Sequence, residues 1–300
     1  MMMRRLYTMF SRGTAMPLFT RMLLACAGLA VAPVYASLER AQELYQRTQY
    51  REALRELESE PRKSGAVYDL MGKCYYHLGD YGEATEALEK AVEAEPRNSG
   101  YWNWLGKAYG RRAETSFVLN QPRYAVRARE HFERAVSLDP HNPEALSDLF
   151  EYYLEAPGFL GGGQDKAAEL SERLRNAEPA RYYSMQARLA EKRKDLAQAE
   201  RFLRQAVEAA PMQPGRLADL ARFLARQQRF AESDAAFEQA ARIAPENADL
   251  KFTRARTYLD SKRNQQLARQ LLEDYLKAPL TPDDPPRAEA ERLLRSIPRG

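Results

Sequence analysis

The chain has 300 residues, of which 44% are hydrophobic and 29% charged, and Ala, Leu, Glu and Arg outweigh Gly, Pro and the β-branched residues. That balance favours helices with a solvated outer face, and no apolar run reaches the ~18–20 residues of a membrane span. The net charge of +4 is concentrated in the first 36 residues, which hold four Arg and no acid. The remainder is therefore neutral, and its charge gives no reason to expect a nucleic-acid partner.

Residues 1–36 read as an export signal. Arg4, Arg5, Arg12 and Arg21 make a basic start, Met22 to Ala32 an apolar core, and Val34-Tyr35-Ala36 a small-residue cleavage site before Ser37. Two alternatives stand beside cleavage there. Leu23-Leu24-Ala25-Cys26 resembles a lipobox, although Arg21 then falls where the apolar core belongs, and the segment could persist as a short anchor. A start at Met16 would give a more compact signal. The expectation is a periplasmic or secreted protein, touching membrane only through an uncleaved signal or a lipid at Cys26. Cys74 is then the one cysteine left, so no internal disulfide is expected. His77, His131 and His141 show no metal-ligand spacing.

Beyond Ser37 the sequence repeats itself. Tyr68, Met71-Gly72, Tyr75, Ala84, Leu88, Ala91 and Pro96 match Trp102, Leu105-Gly106, Tyr109, Ala128, Phe132, Ala135 and Pro140. Each unit needs a large anchor, a small residue at the eighth position where two helices cross, and a proline that ends the second helix. Prolines 96, 140, 179, 211, 245 and 279 are spaced by 44, 39, 32, 34 and 34 residues. The eighth positions are Gly72, Gly106, Phe150, Ala187, Ala221 and Ala255, so the unit containing Phe150 must pack differently. In the last unit Lys251 replaces the aromatic and Asp274 stands where Ala is expected. The pattern resembles the tetratricopeptide repeat. The resemblance implies an all-α, right-handed superhelical solenoid of about seven helical hairpins. The units run near 37–64, 65–98, 99–142, 143–179, 180–213, 214–247 and 248–281, with a capping helix at 286–296 and the solenoid filling 37–298. Tyr68, Tyr75, Tyr109, Tyr153, Trp102, Phe132 and Phe237 are read as core, and Cys74 as a small buried hydrophobe.

Two insertions interrupt the period. Arg111 to Pro122 adds ten residues and predicts lengthened helices tipped by Phe117, Val118 and Leu119, with Asn120 as a helix cap. Ala156 to Ala167 adds five, with Asp165 as the next cap and Phe159 and Leu160 placed to meet the first tip. The expectation is that the tips cover one another, with a docking surface at Phe117, Leu119, Phe159 and Leu160 as the alternative. A phosphate-binding role for Gly161-Gly162-Gly163 lacks the Lys-Ser/Thr and the strand it needs. These inserts resemble a subfamily of exported bacterial tetratricopeptide proteins, a likeness that implies fold and compartment but no activity.

In such solenoids the first helices line a concave groove. The ninth positions are Lys73, Lys107, Glu151, Arg188, Arg222 and Arg256, and with Asn103 they suggest a basic groove for acidic groups of a protein or peptide. The competing reading pairs these cations with neighbouring acids. No nucleophile–base pair, metal set or cofactor motif is seen, so the expected function is a binding scaffold or assembly factor of the bacterial cell envelope, not an enzyme. An anionic polysaccharide is the alternative ligand.

Overall fold

The computed structural model describes residues 32–298, with side chains from Ser37 onward. Residues 1–31, and with them Cys26 and most of the signal reading, lie outside the described residues. Among those described there are helices and turns and no strand.

Seven antiparallel helix pairs follow one another: α1 (Ala32–Gln46) with α2 (Tyr50–Glu58), α3 (Gly65–Leu78) with α4 (Tyr81–Ala94), and α5 (Ser99–Thr115) with α6 (Gln121–Leu138). Then come α7 (Pro143–Glu155) with α8 (Gln164–Glu172), α9 (Pro179–Lys192) with α10 (Leu196–Ala209), α11 (Pro214–Arg226) with α12 (Phe230–Ile243), and α13 (Ala248–Asp260) with α14 (Gln265–Lys277). A last helix, α15 (Arg287–Ser296), packs on α14. No pair of this length buries its apolar face alone, and stability comes from stacking. The buried side chains accordingly form clusters that run from pair to pair along the whole array.

The residue types set the helix boundaries. Three of the first helices start after a Pro-x-Asn sequence, and the side chain of each Asn accepts a backbone N–H of the first turn: Asn98 from Tyr101, Asn142 from Glu144 and Ala145, and Asn247 from Leu250. Ser64 does the same for Val67. Such a cap is worth about 1 kcal/mol. In five of the pairs the turn between the helices contains a left-handed residue at Thr48, Gly79, Lys194, Gln228 or Lys262. Only Gly79 adopts that conformation without steric cost.

The crossing of the two helices explains the small eighth residue. A methyl group on Gly106 would lie 2.5 Å from Cδ1 of Phe132, and one on Gly72 would overlap Leu88. In the unit beginning at residue 143 the sizes are exchanged. Phe150 is buried at the eighth position, and Ser171, fully buried, takes the place that Leu88 and Phe132 hold in their units. The volume moves from one helix to the other, and the crossing stays filled.

Three local expectations change. Asn120 lies at the start of α6 but makes no side-chain cap bond, because its backbone is already helical. Asp165 falls in the first turn of α8, with Gly163 at the cap position. In the last pair Tyr275, not Asp274, fills the repeat position: Ala268, Leu272 and Tyr275 reproduce the spacing of Ala84, Leu88 and Ala91 one residue late. The extra residue is absorbed in the turn, where both Lys262 and Asn264 are left-handed.

Curvature brings the two ends of the array together. Thr48, Tyr50 and His77 from the first two pairs line a cleft of about 210 Å³ with Leu280, Asp284, Pro285 and Arg287. The concave face thus looks inward on a nearly completed turn.

Candidate functional site

The first helices of the pairs form the concave face. Between α7, α9 and α11 it deepens into a cleft of about 500 Å³, to which α9 contributes Arg181, Arg188 and Lys192, and α11 contributes Arg216, Arg222 and Arg226. Four acids share the walls: Glu151, Glu155, Glu191 and Asp219. A second hollow of about 480 Å³ continues past Arg222 and Arg226 to Arg256 on α13.

These cations are not left unopposed. Arg188 Nη2 donates to Glu151 at 2.9 Å and to Glu155 at 3.2 Å, while Lys192 reaches Glu155 at 2.7 Å. One guanidinium nitrogen of Arg226 donates to both oxygens of Glu191, at 2.9 and 2.8 Å. Arg256 pairs with Glu289 of the terminal helix at 3.0 Å. Arg222 lies 3.6 Å from Asp219, which Arg216 also approaches, at 3.8 Å. Arg181 and Arg216 donate to the hydroxyls of Ser147 and Ser184, both at 3.0 Å. Burial raises the carboxyl pKa of Glu151 and of Asp219 above the ordinary range, against the pull of the neighbouring arginines. The expected row of cations is thus an interleaved lattice of cations and acids. The reason is stacking: Glu151 and Glu155 on α7 face Arg188 on α9 across the pair boundary.

The first basic stretch differs. Lys73 and Lys107 flank one ring, with their ammonium groups 5.2 and 4.8 Å from the centroid of Trp104. Lys73 is also bonded to Asp69 at 2.6 Å, and Lys107 lies 3.2 Å from Asp148. Asn103 is only 3% exposed and its amide donates to Asp148 at 2.8 Å, so this nitrogen serves the wall and is not offered to the groove. The sequence reading misses Arg181, Arg216, Trp104 and Asp148. Arg181 occupies the second position of its unit, a groove position by the same count that finds the ninth.

On the edge, the lengthened α5 and α6 carry Phe117, Val118 and Leu119 at 70%, 61% and 79% exposure, and Phe159 is 81% exposed. The tips therefore do not cover one another. Leu160 is half-buried, and its carbonyl accepts from Tyr152 at 2.9 Å and from Arg129 at 3.3 Å. The triple glycine serves this loop's geometry: Gly161 is left-handed, a side chain on Gly162 would strike the carbonyl of Ala156, and Gly163 N–H donates to the Tyr153 carbonyl at 2.8 Å.

Cys74 is fully buried, with its thiol pKa pushed up to about 12 by loss of solvent, which suits a core residue and not a nucleophile. Among the described residues no three His, Cys, Asp or Glu side chains are grouped to hold a metal ion, and no helix is long and apolar enough to cross a membrane.

The tetratricopeptide repeat family model matches residues 65–98 and 180–211. A stretch of 71 residues is 35% identical to anaphase-promoting complex subunit 3 of Dictyostelium discoideum, covering 22% of this chain and 7% of that protein. The fold is similar to a tetratricopeptide repeat protein of Parabacteroides merdae (TM-score 0.57, 15% identity, 88% of this chain and 98% of that one). It is also similar to a thermophilic tetratricopeptide protein of Thermus thermophilus (TM-score 0.52, 21% identity, 63% and 98%). The stacked helix pairs, the glycine crossings and the two matched repeats make this chain a tetratricopeptide repeat protein.

Proposed function

We propose that the chain is a non-enzymatic protein-binding scaffold of a bacterial cell envelope, and that it holds an extended or helical segment of a partner protein in its concave groove. The observation that carries this reading is the cleft between α9 and α11, where six cations and four acids line one concavity. Arg188, Arg222 and Arg226 are half-exposed and already paired; Arg188 is 44% exposed, and Glu151 and Glu155 are 45% and 54%. Pairs of that exposure contribute about 0–1 kcal/mol each. A carboxylate of a partner can therefore replace Glu155 on Arg188 at little cost, since Glu155 is 54% exposed and keeps Lys192 at 2.7 Å. Arg222, 47% exposed and no nearer than 3.6 Å to Asp219, is the first cation available. Residues 4–36 support the compartment through their basic start and apolar core alone.

The test is capture of a partner from an envelope fraction by residues 37–300, compared with a variant carrying Arg188→Glu, Arg222→Glu and Arg256→Glu. The reading expects a defined protein to be captured by the first and lost with the variant, whose helical circular dichroism is unchanged. Retention of the same protein by the variant would overturn the groove reading. It would favour the second reading, docking through the exposed tip at Phe117 and Leu119. A polysaccharide ligand, in turn, would reveal itself by binding that falls steeply with salt and needs no protein.

A further inference from the structure

The concave face changes character along its length. Between α1, α3 and α5 it widens to a hollow of about 790 Å³ walled by Tyr45, Tyr101 and Asp69, with Glu39 and Glu43 on its rim. The cations here are Arg47 and Lys73. Lys73 is held by Asp69 and by the face of Trp104, and Glu43 carries Arg40 at 3.2 Å. Glu39 is exposed. With three acids and two tyrosine rings against Arg47 and Lys73, this end is less cationic and more aromatic than the arginine-lined cleft on α9 and α11.

Two buried atoms in this half lack what their chemistry requires. Asp69 is 7% exposed; its Oδ2 accepts from Lys73, but its Oδ1 has no hydrogen-bond partner. Asn103 is 3% exposed; its Nδ2 donates to Asp148, but its Oδ1 is likewise unpartnered. The two stand at the same position of successive repeats, the fifth residue of α3 and of α5. A buried acceptor without a donor costs about 1–3 kcal/mol, and at Asp69, which lines the hollow, a donor brought by a ligand recovers that cost. The open atom of Asp69 is an acceptor, so the ligand brings an N–H or O–H donor. Beside a carboxylate and two tyrosine rings, a lysine or arginine side chain fits best: the cation meets Asp69 and its stem lies along Tyr101.

We propose that the α1–α3–α5 end of the groove is a subsite for a lysine or arginine side chain of the partner, so that the bound segment is charge-polarised. It is cationic where it meets Asp69 and acidic where it meets Arg188 and Arg222. This deepens the groove reading above and rests on it. The difference between the two ends fixes the direction in which the segment lies, which a uniformly basic groove does not.

The probes are three fluorescein-labelled peptides, each about 20 residues long. One carries a run of lysines at its N-terminal end and a run of glutamates at its C-terminal end; the second has the same composition in reverse order; the third keeps the glutamate run alone. Binding to residues 37–300 is followed by fluorescence anisotropy at low salt. The glutamate-only peptide reads the arginine cleft. The inference expects one order of the two-block peptide to bind at least about tenfold tighter than the other. Asp69→Asn should erase that preference and leave the glutamate-only peptide unaffected. Glu39→Gln combined with Glu43→Gln, at exposed positions, should reduce the preference without touching the fold. If both orders bind equally while the glutamate-only peptide binds, the subsite is refuted and the groove reading stands. If the glutamate-only peptide fails to bind and order makes no difference, both are refuted.

Discussion

Gly106→Ala and Gly110→Ala add the same methyl group to the same helix, α5, four residues apart. Both replacements recover about 1 kcal/mol of helix propensity. At Gly110 the new Cβ has no atom within 4 Å, whereas at Gly106 it lies 2.5 Å from the ring of Phe132. Phe132 is buried at the crossing of α5 and α6 and has no solvent to move into. Overpacking of this kind costs about 1–3 kcal/mol. Gly110→Ala should therefore stabilise by about 1 kcal/mol, and Gly106→Ala should range from neutral to about 2 kcal/mol destabilising. Repeat arrays lose two-state behaviour, so urea denaturation should be joined to amide hydrogen exchange in α5 and α6. If Gly106→Ala protects those amides as well as Gly110→Ala does, the account of the helix crossing is wrong.

Asn142→Ala removes a side chain that accepts from Glu144 and Ala145 at 3.0 and 3.1 Å, and should cost about 1 kcal/mol, read as earlier urea unfolding. His131 stacks between Trp102 and Tyr109, and burial, with Arg127 nearby, lowers its pKa from the usual 6.5 to about 4. Because the unfolded chain binds the proton first, stability should fall as pH drops from about 6.5 towards 4 and stay level above. His77, also lowered to about 4 by burial, acts in the same sense. His131→Phe, which gives up the buried unpartnered Nε2, should flatten part of that slope in thermal melts; an unchanged slope would refute the assignment. Phe117→Ser with Leu119→Ser, at 70% and 79% exposure, should change stability by less than about 0.5 kcal/mol, so any binding lost with it reports on docking.

The repeat was legible because its physical demands are strict. A glycine beneath Phe132 and a proline after each second helix leave marks that spacing alone recovers. The register slip in the last pair was not legible, because two left-handed residues, Lys262 and Asn264, absorb an insertion without a glycine to announce it. The exchange of Phe150 with Ser171 was half legible: the large residue stood out, but the small partner across the crossing did not. In the groove, position counting found Arg188, Arg222 and Arg256. It offered pairing with neighbouring acids as the competing reading but did not name Glu151 and Glu289 as the partners, since cross-repeat contacts depend on how one pair stacks on the next. Nor does sequence show that Asp69 and Asn103 each bury an acceptor without a donor.

The most direct test of the scaffold account is site-specific photo-crosslinking in intact cells. A photoreactive residue would replace Ser184 on the cleft wall, Phe117 at the exposed tip, or Gln205 on the outer face of α10. The account predicts one dominant crosslinked protein from Ser184, weakened by Arg222→Glu, and none from Gln205. Crosslinks from Phe117 alone, with Ser184 silent, would contradict it.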